Sequence, residues 1–178
     1  ALFNEEILAF SENTKIEGEI VVSYELLNAA REARQSKAVF VHHRNAARWE
    51  DDRIVAAFVS PNDPAVLEYS KFIAGLVREN VRPDISDKLQ YAIGLFEGLR
   101  LSDIAFTPDP STPYQSTRND SRAVDYIQYP FQTIAYKGGD CDDLGLLYAA
   151  ALESVGTHAA YIPLQDDFLI AVDLAMDE

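Results

Sequence analysis

The residues best suited to chemistry lie together in Gly138-Gly139-Asp140-Cys141-Asp142-Asp143-Leu144, where the chain's single cysteine follows a glycine pair. Downstream, Leu144, Leu147, Tyr148, Ala151, Leu152 and Val155 recur at steps of three and four, so the spacing predicts a buried amphipathic helix over 142–155. Cys141 then stands at the mouth of that helix. Free backbone N–H groups and the positive end of the macrodipole stabilise a thiolate there, and the same N–H groups can face a developing oxyanion. The chemistry this suggests is acyl transfer through a thioester.

The flanking carboxylates act the other way. Asp140, Asp142 and Asp143 place negative charge around the thiol, which raises its pKa and opposes the helix terminus; a bound cation would reverse that. Capping of the helix by Asp140 or Asp142 is the plainer role for these residues. A carboxylate is also a poor base for this thiol, because the two groups titrate about four pH units apart.

The elements that position this stretch can be read along the chain. Residues 1–37 carry Ile7, Leu8, Phe10, Ile20, Val21, Tyr24, Leu26 and Leu27 at helical spacing and are expected to be helical. The runs 38–41 and 54–59 read as short strands, with His42, His43, Arg44 and Trp49 in a loop between them. Trp49 with Arg44 and Arg48 reads either as a partner patch or as local stacking. Ser60-Pro61-Asn62-Asp63-Pro64 is a turn into a helix, with Asp63 as its N-cap and Pro64 in its first position.

That helix carries Val66, Leu67, Tyr69, Ile73, Leu76 and Val77 on one face and should end before Pro83. Ser86 caps a second, with Leu89, Ile93, Phe96 and Leu99 buried and fraying expected near Gly98. Residues 107–121 read as a surface loop. A short helical turn is expected over 130–136, stopped at Gly138. Gly156 ends the long helix, and the runs 158–164 and 168–174 form two strands joined at Gln165-Asp166-Asp167. A helix followed by a hairpin implies an α+β fold.

Composition bounds the function. With 178 residues, 48% of them hydrophobic, the chain can build one core domain with an extension; the expected division is 1–60, partly helical, and 61–178. A formal charge of −14 gives phosphate binding the wrong sign and argues against a nucleic-acid partner. No apolar run approaches the length of a membrane span and no leader pattern is present, so membrane insertion is not expected; a start at Ala1 reads as processing or truncation upstream.

Taken together, Tyr129-Pro130-Phe131-Gln132-Thr133, Gly139-Asp140-Cys141-Asp142-Asp143-Leu144 and Leu147 to Gly156 resemble the bacterial transglutaminase-like domain, within the papain-like cysteine protease and transglutaminase superfamily. The resemblance extends over roughly Pro64 to Leu174 and is motif-strong from Tyr126 to Gly156. It implies an α+β, papain-like core in which a central helix with Cys at its N-terminus packs on an antiparallel sheet. It also implies a bacterial origin, export to the periplasm or beyond, and a nucleophile position at Cys141.

The chain departs from the family pattern at two catalytic positions. Where relatives carry a histidine at the start of the second hairpin strand, this sequence has Asp166 and Asp167. A third triad residue has no counterpart before Glu178. His158 does not replace the missing base: about 20 Å of helix and a returning strand put the hairpin tip, not His158, beside Cys141. His42 and His43 are the other histidines and read as a loop pair. The resemblance implies no required cofactor and leaves room for calcium at Asp140 and Asp142, whose hard oxygens suit that ion. Tyr129 and Tyr136 are candidate substrate-groove residues, with core or rim packing as their plainer role.

Two functions follow. The first choice is a transglutaminase-like domain that has lost catalysis and binds a peptide or protein segment. The alternative is an active cysteine amidase, peptidase or acyltransferase with Cys141 as nucleophile and its histidine supplied from elsewhere.

Overall fold

The computed structural model describes residues 9–109, 120, 123–164 and 168–174, and it divides into two compact units, 1–46 and 47–178. The chain mixes helices and strands, which is compatible with an α+β class.

The first unit is a long antiparallel hairpin of β1 (Thr14–Leu26) and β2 (Ala29–Val41), in register from Thr14 opposite Val41 to Leu26 opposite Ala29. The helical expectation for residues 1–37 is therefore wrong from Thr14 onward, and residues 1–8 lie outside the described residues. Ile16, Ile20, Val22, Tyr24 and Leu26 fall on one face at a period of two, which the interposed Val21 and Leu27 had made look helical. The turn has Leu27 at φ 52° and Asn28 at φ 57°, both left-handed as a two-residue hairpin turn of the primed type requires. Within this unit the His43 N–H donates to Asn13 Oδ1 (3.0 Å), and the His42 ring meets Phe40 edge-on at 4.9 Å.

After the short strand β3 (Ala46–Ala47), a 3-10 helix spans Asp52–Ala57. A strand had been expected over 54–59. Asp51 accepts the Arg53 N–H as the N-cap, and Val55 and Phe58, three apart, are both buried in one cluster. An apolar run this short fits either conformation, and packing decided it. Trp49 belongs to the same cluster: it is 5% exposed and donates its Nε1–H to Asp125 Oδ2 at 2.6 Å, so it is a core residue and not a surface patch.

Helix α1 (Pro64–Glu79) starts as its residues dictate, with the Asp63 side chain accepting the Ala65 N–H and Pro64 in the first turn. Helix α2 (Asp87–Leu101) begins at Ser86, whose Oγ accepts the Leu89 N–H. Gly98 does not fray this helix. A Cβ there would lie 2.8 Å from Ile73 Cδ1 and from Tyr69 Oη, so the glycine lets α2 approach α1.

Strand β4 (Ala105–Phe106) pairs in parallel with β6 (Gly138–Gly139), while β5 (Asp125–Tyr126) precedes α3 (Pro130–Tyr136). Helix α4 (Cys141–Ser154) is the centre of the second unit. Leu146 faces the Trp49 and Phe58 cluster, Ala151 and Leu152 face Ile73, Ala92 and Leu95, and Leu147 faces Leu99 and Ile104. A helix buried this far round its circumference must be apolar on most faces, which its sequence is. The helix ends at Gly156 (φ 78°). Antiparallel β7 (Ala159–Pro163) and β8 (Phe168–Val172) follow, with Ile170 and Val172 packed against the core.

Candidate functional site

Cys141 is the first residue of α4 and is half-buried, with three nearly inaccessible carboxyl groups around it: Asp142 at 1% exposure, Asp143 at 3% and Asp140 at 7%. Gly139 permits this crowding, because a Cβ there would lie 2.5 Å from Asp143 Cβ. Asp140 occupies the N-cap position without a side-chain capping bond; its carbonyl accepts the Leu144 N–H. The plain capping role expected for Asp140 or Asp142 is thus filled by backbone alone at Asp140, while the Asp142 side chain turns inward.

The three carboxyls have different partners. Asp143 accepts the Gln128 backbone N–H (2.7 Å) and side-chain Nε2–H (2.6 Å), tying the segment before α3 to the start of α4. Burial pushes Asp143 up to about 7, the Gln128 hydrogen bonds partly opposing it. Asp142 is raised much further. Burial is the chief cause, followed by its hydrogen bond with Asp140 and the negative charges of Asp140, Asp143 and Asp125, all of which favour the protonated carboxyl. Its Oδ1 is buried without a hydrogen-bond partner. One ligand atom from each of Asp140, Cys141 and Asp142 lies within 4.8 Å of the others.

On its open side Cys141 borders an apolar cavity of about 870 Å³, walled by Phe96, Leu99, Leu144, Tyr148 and Leu169 among others. That volume is in the range of small-molecule and peptide-side-chain sites. Sequence reasoning placed the thiol but missed this groove, since its walls come from α2, α4, β4 and β8 and only packing brings them together.

Tyr129 and Tyr136 take other positions. The half-buried Tyr129 ring packs 5.1 Å from Phe58 and stacks 6.2 Å from Phe131, and its N–H donates to Gln132 Oε1. Tyr136 is largely exposed and lines a smaller cavity of about 240 Å³ with Tyr126, Gly139 and Asp143. His158, the second unit's only histidine, stands beyond the C-terminus of α4, with Nδ1 3.2 Å from Glu153 Oε2. Helix α4 runs about 20 Å between that end and Cys141. His42 and His43 belong to the first unit. Asp166 and Asp167 lie outside the described residues.

No family model, curated protein or solved structure matches the chain. No described helix is long and apolar enough to cross a membrane.

Proposed function

We propose that the second unit is a transglutaminase-like, papain-like domain that has lost catalysis and binds a peptide or protein segment in the groove beside Cys141. One observation carries the reading: carboxylate oxygens of Asp140 and Asp142 lie within 4.8 Å of the thiol, whereas the unit's histidine is engaged with Glu153 at the far end of α4. A thiol nucleophile in this superfamily is activated by a base that takes its proton at neutral pH, as a histidine does. A protonated Asp142 cannot accept that proton, and Asp143 is committed to Gln128. The apolar walls of the groove remain, and they suit side chains of a bound segment.

The test is amine incorporation into a casein substrate, together with hydrolysis of peptide amides, by the full chain with Cys141→Ser as the blank. The expected result is no turnover above the blank. Turnover that disappears in Cys141→Ser overturns the reading in favour of an active cysteine acyltransferase.

A second reading concerns calcium, and the orphaned Asp142 Oδ1 favours it. Asp140 and Asp142 would hold the ion through carboxylate oxygens, with water completing the coordination. The ion would supply positive charge that restores ionised carboxylates beside the thiol. Thermal melting with calcium chloride or with chelator is the measurement. A higher Tm in calcium that is lost in Asp142→Asn is expected, and identical melts would remove calcium from the account.

A further inference from the structure

The hairpin β7–β8 is asymmetric at its two outer edges, and the asymmetry points toward the groove. The Asp173 N–H donates to the His158 carbonyl at 2.9 Å, which fixes the ladder's phase. Residues opposite each other in an antiparallel pair alternate between exchanging two hydrogen bonds and exchanging none. The pair 158 and 173 is bonded, so the pairs Ala160 with Ala171 and Ile162 with Leu169 are bonded as well. Ala159, Tyr161 and Pro163 therefore direct their main-chain groups outward from β7, and Ile170 and Val172 direct theirs outward from β8.

The β7 edge is closed to a further strand. Its Ala159 N–H is taken by Glu153 Oε1 at 2.8 Å, and Pro163 has no N–H to offer. On β8 the outward N–H groups of Ile170 and Val172 have no hydrogen-bond partner among the described residues.

The cavity beside Cys141 lies along this open edge. Leu169 and Ile170 both border it, and neighbouring residues of a strand point to opposite faces. A cavity that touches both faces of β8 and no residue of β7 must run past the outer edge of β8. The site thus combines unpaired main-chain groups with apolar walls, which is what an added strand with apolar side chains at alternate positions satisfies.

Charge narrows the occupant. The Arg100 guanidinium on the groove wall is already paired with Glu97 at 3.0 Å, while Asp103 stands on the same wall and the whole chain carries −14. Basic residues are the matching flanks.

We propose that the free edge of β8 accepts an extended peptide as a third strand, with apolar residues at alternate positions seated in the groove beside Cys141 and Lys or Arg at its ends. This rests on the peptide-binding reading above and specifies how the peptide is held.

The experiment uses the full chain and the synthetic peptide acetyl-Lys-Val-Thr-Val-Thr-Val-Lys-amide, with a second peptide N-methylated at its five central residues. Amide hydrogen exchange is followed by NMR, and affinity by calorimetry. With the first peptide saturating, exchange at Ile170 and Val172 is expected to slow at least tenfold while Tyr161 is unchanged. The methylated peptide is expected to bind at least tenfold more weakly. Val172→Pro removes one outward N–H and leaves the bonded ladder pairs intact; it should weaken binding similarly. The methylated peptide decides the matter if that variant does not fold. Phe106→Ser alters an exposed groove wall without touching the edge. Binding that Phe106→Ser weakens but that leaves Ile170 and Val172 unprotected overturns the added strand and keeps the groove. No binding of either peptide overturns both.

Discussion

Replacing Asp142 with asparagine tests whether the carboxyl next to Cys141 holds a proton in the folded protein at neutral pH. Asp142 is 1% exposed, and burial, the hydrogen bond with Asp140 and nearby negative charge all raise its folded pKa far above 3.8. In the unfolded chain it ionises near the ordinary aspartate value, so between about pH 5 and pH 7 the folded state binds about one proton more than the unfolded state. Stability from this group is therefore complete below the unfolded pKa and falls as pH rises toward the folded pKa. The slope for one proton is about 1.4 kcal/mol per pH unit, or ~2.7 kcal/mol over those two units. The side-chain amide introduced by Asp142→Asn is neutral in both states and its Nδ2–H keeps a donor toward Asp140, so the variant lacks this slope.

Asp143, pushed up to about 7, contributes in the same direction in both proteins and cancels from the difference. Urea unfolding in calcium-free buffer, followed by the fluorescence of the single, buried Trp49, measures the effect from acid to neutral pH. The two proteins should be within about 1 kcal/mol of each other near pH 4.5, with the variant gaining about 2.7 kcal/mol relative to wild type between pH 5 and pH 7. Stability curves that stay parallel over that window would show Asp142 to be ionised in the fold and refute the reasoning.

Three further outcomes follow from the packing. Trp49→Phe removes the hydrogen bond that Nε1–H donates to the buried Asp125 and should cost about 2 kcal/mol, read by urea unfolding with circular dichroism; a loss under about 0.5 kcal/mol would mean that this hydrogen bond contributes little. Gly98→Ala should lower Tm, because a Cβ 2.8 Å from Ile73 costs about 1–3 kcal/mol and outweighs the helix-propensity gain, whereas Gly75→Ala meets nothing within 4 Å and should raise it. Equal shifts would contradict the close approach of α1 and α2. Leu27→Asn places a residue suited to φ 52° in the hairpin turn, and β1–β2 amide exchange should slow by roughly fivefold, corresponding to about 1 kcal/mol; unchanged exchange would mean that the turn is not strained by leucine.

The sequence alone determined the elements whose signals are local. Asp63-Pro64, Ser86 and the three-and-four spacing after Cys141 specify where α1, α2 and α4 begin, because a cap and a face are encoded within a few residues. The β7–β8 hairpin was legible for the same reason: two apolar runs flank a polar turn. The first hairpin was not, since Ile20, Val21, Tyr24 and Leu27 fit a helix as well as a strand until a thirteen-residue partner is aligned beside them. Leucine at the turn gives no hint of a left-handed backbone. The site shows the same division. That a thiol opens a helix among aspartates is written in the chain, but a carboxylate's proton depends on burial, and burial is decided by what the rest of the fold places around it. The groove and the open edge of β8 belong wholly to tertiary structure, because their walls are contributed by residues from Phe96 to Ile170 that only packing brings together.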